Sequence, residues 1–198
     1  MTHGEEFLRI SRDYLVNDYV PRIVAVLRQL DDADIWWRGN EATNSIGNLV
    51  LHLAGNVRQW IVAGVGGAPD VRDRPAEFAR RDGMTRDELV KHLESTIAVV
   101  DEALARVTPD QLFEPRKIQG IDTTVMEAIY HVVEHFSTHV GQIVMLGKLR
   151  LAKDLGFWEI GPDGSARQKW RTVRRADGQT DGRSDGQAGG QSDKESKR

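Results

Sequence analysis

Apolar residues recur at helical spacing along four long stretches of the chain, and between them the pattern lapses into turn formers and mixed charges. The first stretch runs from about Glu5 to Leu30, with Phe7, Ile10, Tyr14, Leu15, Ile23, Val24 and Leu27 on one helical stripe. Pro21 lies inside it and predicts a kink or break near Tyr19 and Val20. Proline has no N–H to donate, and its ring crowds the carbonyl one turn earlier. The second stretch opens at the cap-forming residues Thr43 to Ser45 and runs to about Ala63, with Ile46, Leu49, Leu53, Trp60 and Ile61 as apolar positions. The third begins at Thr85 with Glu88 at capping-box spacing, carries Leu89, Leu93, Ile97, Val100 and Leu104, and ends by about Val107, before Pro109. The fourth opens at a second capping box, Thr124 with Glu127, and runs to Arg150.

The connectors differ in character. Asp31, Asp32 and Asp34 favour a turn or a short helix start, and of Trp36 and Trp37 at least one should cap the end of the core. The link from Gly64 to Gly83 holds glycines, Pro69, Pro75 and mixed charges with no sustained period, and its length suits a crossover. After Arg150 a short irregular segment brings Phe157 and Trp158 back towards the helices. No stretch alternates in the manner of a strand. Four amphipathic helices and two unlike links predict an all-α four-helix bundle over residues 1–170, with a long crossover between helices 2 and 3. Residues 171–198 hold almost no apolar side chain and read as a disordered polar tail, because they cannot bury enough surface to offset the entropy of ordering.

Composition narrows the function. A chain of 198 residues suits one domain with a tail, and 39% hydrophobic with 29% charged residues is ordinary for a soluble protein. The formal net charge of −3 gives no reason to expect a nucleic acid partner. Cysteine is absent, which excludes disulfides, thiolate metal ligands and a cysteine nucleophile. Any thiol chemistry must use a thiol carried in by a substrate. The N-terminus lacks a signal-peptide pattern, and no apolar run reaches the roughly 20 residues that span a bilayer. A cytoplasmic address without membrane attachment is the expectation.

Within the fourth stretch stand three of the six histidines, His131, His135 and His139, each four residues from the next and so on one helix face. Ala128, Val132, Ile143 and Leu146 share that face, which should pack inward. Buried imidazoles need partners, and two histidines one turn apart present their nitrogens to one point, as zinc, nickel and similar divalent ions require. His131 with His135, or His135 with His139, could be the pair; spacing does not decide. A third ligand must come from elsewhere. His52 is the candidate, since it sits among Leu49, Val50, Leu51 and Leu53 in a turn that is apolar nearly all round. Asn48, Asn56 and Gln59 continue its row along the second helix as polar residues that line such a site, or that simply face water. The plainer alternative for the histidines is hydrogen bonding to backbone, Glu127 or Glu134. His3 and His92 read as surface residues, and Glu134, about 100° around the helix from His135, as solvated. Three protein ligands leave a coordination position for water or substrate. No phosphate-binding loop, dinucleotide fingerprint, nucleophile elbow or His-Glu-x-x-His string competes with this site.

The segment NSIGNLVLHLAGNVRQWIVAGVGG and, far downstream, YHVVEHFSTHVGQIVMLGKL together resemble the DinB-like superfamily, in particular its DUF1572 branch. The resemblance spans most of residues 5–160. It implies a four-helix bundle, often dimeric, with a three-histidine divalent metal site: one ligand from the second helix, His52, and two from the fourth, the pair before Gly141 and Gln142, His135 and His139. His131 then lines the site. It also implies metal-dependent transfer or isomerisation with a low-molecular-weight thiol, the cation activating the thiol for attack on a small electrophile. A non-catalytic metal-binding bundle and a metal-dependent hydrolase are the alternatives.

Overall fold

The computed structural model of the chain describes residues 1–171. Apart from Arg171, the tail expected to be disordered lies outside the described residues. Helix α1 (His3–Asp13) starts at a capping box between Thr2 and Glu5. It passes into a π-helical segment, Tyr14–Tyr19, and then into α2 (Val20–Leu27). The Val20 N–H bonds the Leu15 carbonyl, five residues back. This wider turn accommodates Pro21, because the extra residue moves the preceding carbonyls away from the ring. The break expected near Tyr19 and Val20 is therefore a local widening, and the helix continues.

Helix α3 (Asp32–Trp36) is capped by Asp31, whose carboxylate accepts from the Asp34 N–H. The Trp36 indole donates to the Met84 carbonyl at 2.8 Å and its ring packs on the core, while Trp37 lies under the Arg150 guanidinium. Helix α4 (Ile46–Val57) is capped by Ser45, with Asn48 closing the capping box, and runs on into a second π-helical segment, Arg58–Val65. The link that follows contains α5 (Arg74–Ala79), with Asp73 as its cap and Pro75 in its first turn. Helix α6 (Arg86–Ala105) and helix α7 (Val125–Leu151) both begin at the capping boxes expected, at Thr85 and Thr124.

Two small antiparallel sheets correct the expectation of no strands. β1 (Pro115–Ile118) pairs with β2 (Ile121–Thr124), and β3 (Trp158–Ile160) pairs with β4 (Ala166–Gln168). The turn of the first hairpin, Gln119 and Gly120, has positive φ at both residues, the geometry that matches the twist of paired strands. Strands of three or four residues, mostly exposed, are too short to imprint an alternating pattern. The second hairpin closes on Trp170, which is buried beside Phe157, takes Arg22 over its ring and donates to Asp18.

The chain is predominantly helical. α4 packs against α6 and α7, and α2 packs against the same two helices, so their apolar faces share one core containing Ile23, Leu53, Leu89, Leu93 and Phe136. Gly147 lets α7 come close to α2: a Cβ there would lie 2.7 Å from a Val26 methyl. Among the described residues no helix is long and apolar enough to cross a membrane.

Candidate metal centre

The helical face that carries His131, His135 and His139 also carries the buried Ala128, Val132 and Ile143, so core packing turns the imidazoles towards α4. His52, with Leu49, Val50 and Leu53 buried around it, is itself only 5% exposed. The two helices bring three rings together. His135 Nε2 lies 3.1 Å from His52 Nε2 and 3.0 Å from His139 Nε2. One ligand atom from each of His52, His135 and His139 lies within 4.8 Å of the others.

Proton placement explains why this cluster suits a cation. His139 Nδ1 is 2.7 Å from Gln142 Oε1, and His52 Nδ1 is 3.0 Å from Glu77 Oε2. Both oxygens accept, so both Nδ1 atoms carry the proton and both Nε2 atoms present lone pairs to His135. One N–H on His135 Nε2 can satisfy only one of them. A divalent cation bonding all three nitrogens resolves the conflict. The two separations about His135 Nε2, 3.0 and 3.1 Å, are short enough for nitrogens that each stand roughly 2.0–2.1 Å from a shared ion. The donor set therefore fits a zinc- or nickel-like ion.

The link supplies the outer support that its irregular pattern hid. Arg72 grips the Glu77 carboxylate with Nε at 2.7 Å and Nη2 at 2.8 Å, and both side chains are buried. Arg72 Nη2 also lies 3.0 Å from His52 Nδ1. The same Nη2 has the charged Glu77 Oε2 as a closer and stronger acceptor, at 2.8 Å, so the guanidinium donates there and the Nδ1 proton is left to face the carboxylate. Gly55 makes room for the pair: a Cβ there would stand 2.0 Å from Glu77 Oε1. Phe78, one residue on, packs its ring against His52. Asp73, a cap-forming residue, and Pro75, a first-turn proline, are the local signal that could have placed Glu77 on a short helix. Gln142 sits one turn beyond His139, a spacing that puts its amide within reach of the ring.

The remaining expected site residues divide. His131 stacks on His135 at 5.4 Å between centroids and lies against Trp60 at 4.0 Å. Its Nε2 is buried without a partner, as are Asn56 Oδ1, Trp60 Nε1 and His135 Nδ1. Gln59 is engaged elsewhere, with Asp70, Arg72 and Gln119. Asn48 donates to the carbonyls of Glu77 and Arg80, at 2.9 and 2.8 Å, and so pins the link to α4. Glu134 is exposed, as expected, and so are His3 and His92. A cleft of about 620 Å³ lies behind the Arg72–Glu77 pair and includes Arg58 and His92 in its lining. A second, of about 600 Å³, is bounded by Thr43, Leu49, Thr138, Gln142 and Met145.

Burial, reinforced by the neighbouring His139, His52, His131 and Arg72, lowers the His135 pKa to about 3. Burial also lowers His139 and His131. Burial alone would raise Glu77, but hydrogen bonds from Arg72 and His52 leave it lowered. These groups impose one sign on the metal-free protein. Below the ordinary histidine value of 6.5 the unfolded chain takes up protons that folded His135 refuses down to about 3. Stability should therefore fall monotonically as pH drops through that window, with Glu77 adding to the fall below its ordinary value of 4.5. Thermal unfolding of chelator-treated protein between pH 7 and pH 4 measures this. A flat or rising Tm over that range would contradict it.

The model of the family described as "Protein of unknown function (DUF1572)" matches residues 2–162. Among solved structures, the chain is similar to a conserved protein from Enterococcus faecalis, at a TM-score of 0.59 and 16% identity, with 76% of this chain and 96% of that chain covered. It is similar to the same degree (TM-score 0.59, 16% identity) to a DinB-like protein from Bacillus cereus ATCC 10987, with 76% and 94% covered. At that identity the likeness concerns the fold. No curated protein sequence matches the chain. By the extent of the family match the chain belongs to the DUF1572 family, and its predominantly helical fold is similar to that of a DinB-like protein.

Proposed function

We propose that the protein is a divalent-metal-dependent enzyme that joins a low-molecular-weight thiol to a small electrophile, with His52, His135 and His139 as the metal ligands. The convergence of three imidazole nitrogens carries the reading. A zinc- or nickel-like ion there would act as a Lewis acid and lower the pKa of a thiol offered to its open position. The chain's own residues do the rest. His52 and His139 are held in one tautomer by Glu77 and Gln142, and Phe78 shields the His52 ring from water. The absence of cysteine fits a reaction in which the thiol arrives with the cosubstrate. The cleft bounded by Thr138, Gln142 and Met145 reaches the residue that orients His139, and its volume suits a small-molecule substrate.

In detail we infer a DinB-like four-helix bundle in which the link carrying Arg72 and Glu77 is the crossover between the second and third long helices. A homodimer and a cytoplasmic address go with this reading. The exposed Met145 and Leu149 on α7 support self-association.

Two measurements test the function in sequence. Elemental analysis of tag-free protein should find about one divalent ion per chain; none, even after incubation with zinc and nickel, removes the basis of the proposal. The loaded protein is then screened for consumption of cellular thiols against a panel of alkyl and epoxide electrophiles. Metal-dependent consumption is the expected result. A metal-loaded protein that consumes none of them is a metal-binding bundle without this activity, and ester or amide hydrolysis by it would identify the hydrolase instead.

A further inference from the structure

Two of the three proposed ligands have their second nitrogen fixed by an oxygen, Glu77 for His52 and Gln142 for His139. His135, the ligand between them, has none: its Nδ1 is buried without a partner. With Nε2 given to a cation, Nδ1 must carry a proton, so this orphan is a donor that lacks an acceptor. An acceptor without a donor is buried one turn beyond His52 on α4. Asn56 is 4% exposed, and its Oδ1 has no partner. Its position on the helix brackets it. One turn before it His52 meets His135 with ring centroids 4.9 Å apart, and one turn after it Trp60 meets His131 at 4.0 Å. Asn56 thus occupies the layer of α4 that faces the stretch of α7 between His131 and His135.

We propose that Asn56 Oδ1 accepts the hydrogen bond from His135 Nδ1–H, directly or across one water, when the metal centre forms. The inference rests on the metal reading given above. It gives every ligand a neutral or anionic oxygen on its far nitrogen, which fixes each tautomer with Nε2 towards the ion and strengthens each as a donor. It also accounts for the two unmet polar atoms together. Each alone is costly to bury, and pairing them removes both costs. Asn56 is on this view a positioning residue: it touches neither the metal nor the substrate.

The test compares zinc affinity, by competition with a chromogenic chelator, in the parent, Asn56→Leu and Asn56→Asp. Leucine keeps the bulk and removes the acceptor, whereas aspartate keeps an acceptor oxygen. Asn56→Leu should bind zinc roughly 10–100-fold more weakly than the parent. Asn56→Asp should retain parent affinity or exceed it. The Tm of metal-free Asn56→Leu should equal or exceed that of the parent, because an unpaired buried acceptor has been removed; a purely structural role would lower it. Parent-like zinc affinity in Asn56→Leu overturns the assignment while leaving the metal centre intact. A parent that binds no zinc overturns both. Should Asn56→Leu not fold, nitrogen-15 NMR of the zinc-loaded parent decides. A slowly exchanging His135 Nδ1 proton that scalar-couples to its own ring and is lost in Asn56→Ala supports the bond, and its persistence in that variant overturns it.

Discussion

His135→Ala is expected to lose the bound metal, with the ion content falling from about one per chain to none after dialysis. His135 is the central member of the cluster, with the other two Nε2 atoms 3.0 and 3.1 Å away, so its removal leaves His52 and His139 without the ligand that joins them. Loss of an outer support alone costs about 10–100-fold in affinity, and loss of a ligand should cost more, roughly 100-fold at least. The fold should survive. Alanine removes a ring whose Nδ1 is buried unpaired, so the metal-free variant loses packing but sheds a polar penalty. His131→Ala is the matched control. His131 stacks on His135 but lies outside the convergent set, and that variant should keep its metal. The reverse outcome, with metal lost in His131→Ala and retained in His135→Ala, would move the centre one turn along α7.

Arg72→Ala is expected to destabilise the protein by about 3–5 kcal/mol, the range for removing one partner of a buried ion pair. For a chain of this size that corresponds to a fall in Tm of roughly 6–20 °C. The reason is the charge left behind. The Arg72 and Glu77 side chains are 3% and 9% exposed, and without the guanidinium the carboxylate keeps only the His52 ring and its burial. Burial then governs Glu77, and its pKa should rise where it is now lowered. The sign follows: the deficit should be greatest near neutral pH and should narrow on acidification, as Glu77 takes up a proton in the variant before it does in the parent. Adding Glu77→Gln to Arg72→Ala should recover part of the loss, since it removes the stranded charge. Thermal unfolding of the two variants at pH 7 and pH 5 measures all of this. A single variant within about 1 °C of the parent would show that the pair is solvated and does not brace His52.

These expectations rest on parts of the molecule that differ in how far the chain itself announced them. Residues 43–63, 85–107 and 124–150 carry their own helix signals: a capping residue at the start and an apolar stripe at helical spacing. Those signals act within one or two turns and need no tertiary partner, so the starts at Ser45, Thr85 and Thr124 could be read from the residues alone. The same local logic put three histidines on one face of α7 and one in an apolar turn of α4. The resemblance of the two histidine-bearing segments to the DinB-like proteins then singled out His52, His135 and His139.

Other features required the folded chain. The π-helical turn at Tyr14–Tyr19 depends on how the helix absorbs Pro21 while its apolar face stays seated on the core, and no local rule distinguishes that from a break. The short strands are stabilised by pairing across a turn and by packing of residues such as Ile118, which four residues of sequence do not reveal. The support of the candidate metal centre is the clearest case. Glu77 and Arg72 stand in a stretch of alternating charge that resembles a solvated link, and only the close approach permitted by Gly55 buries them against His52. Asn48 and Gln59 share a helical row with His52, yet contacts with that same link draw their side chains away from the three imidazoles. Residue type and period determined which groups could reach a metal. Desolvation and close approach between distant segments, which act only in the folded chain, decided which of them meet and what holds them in place.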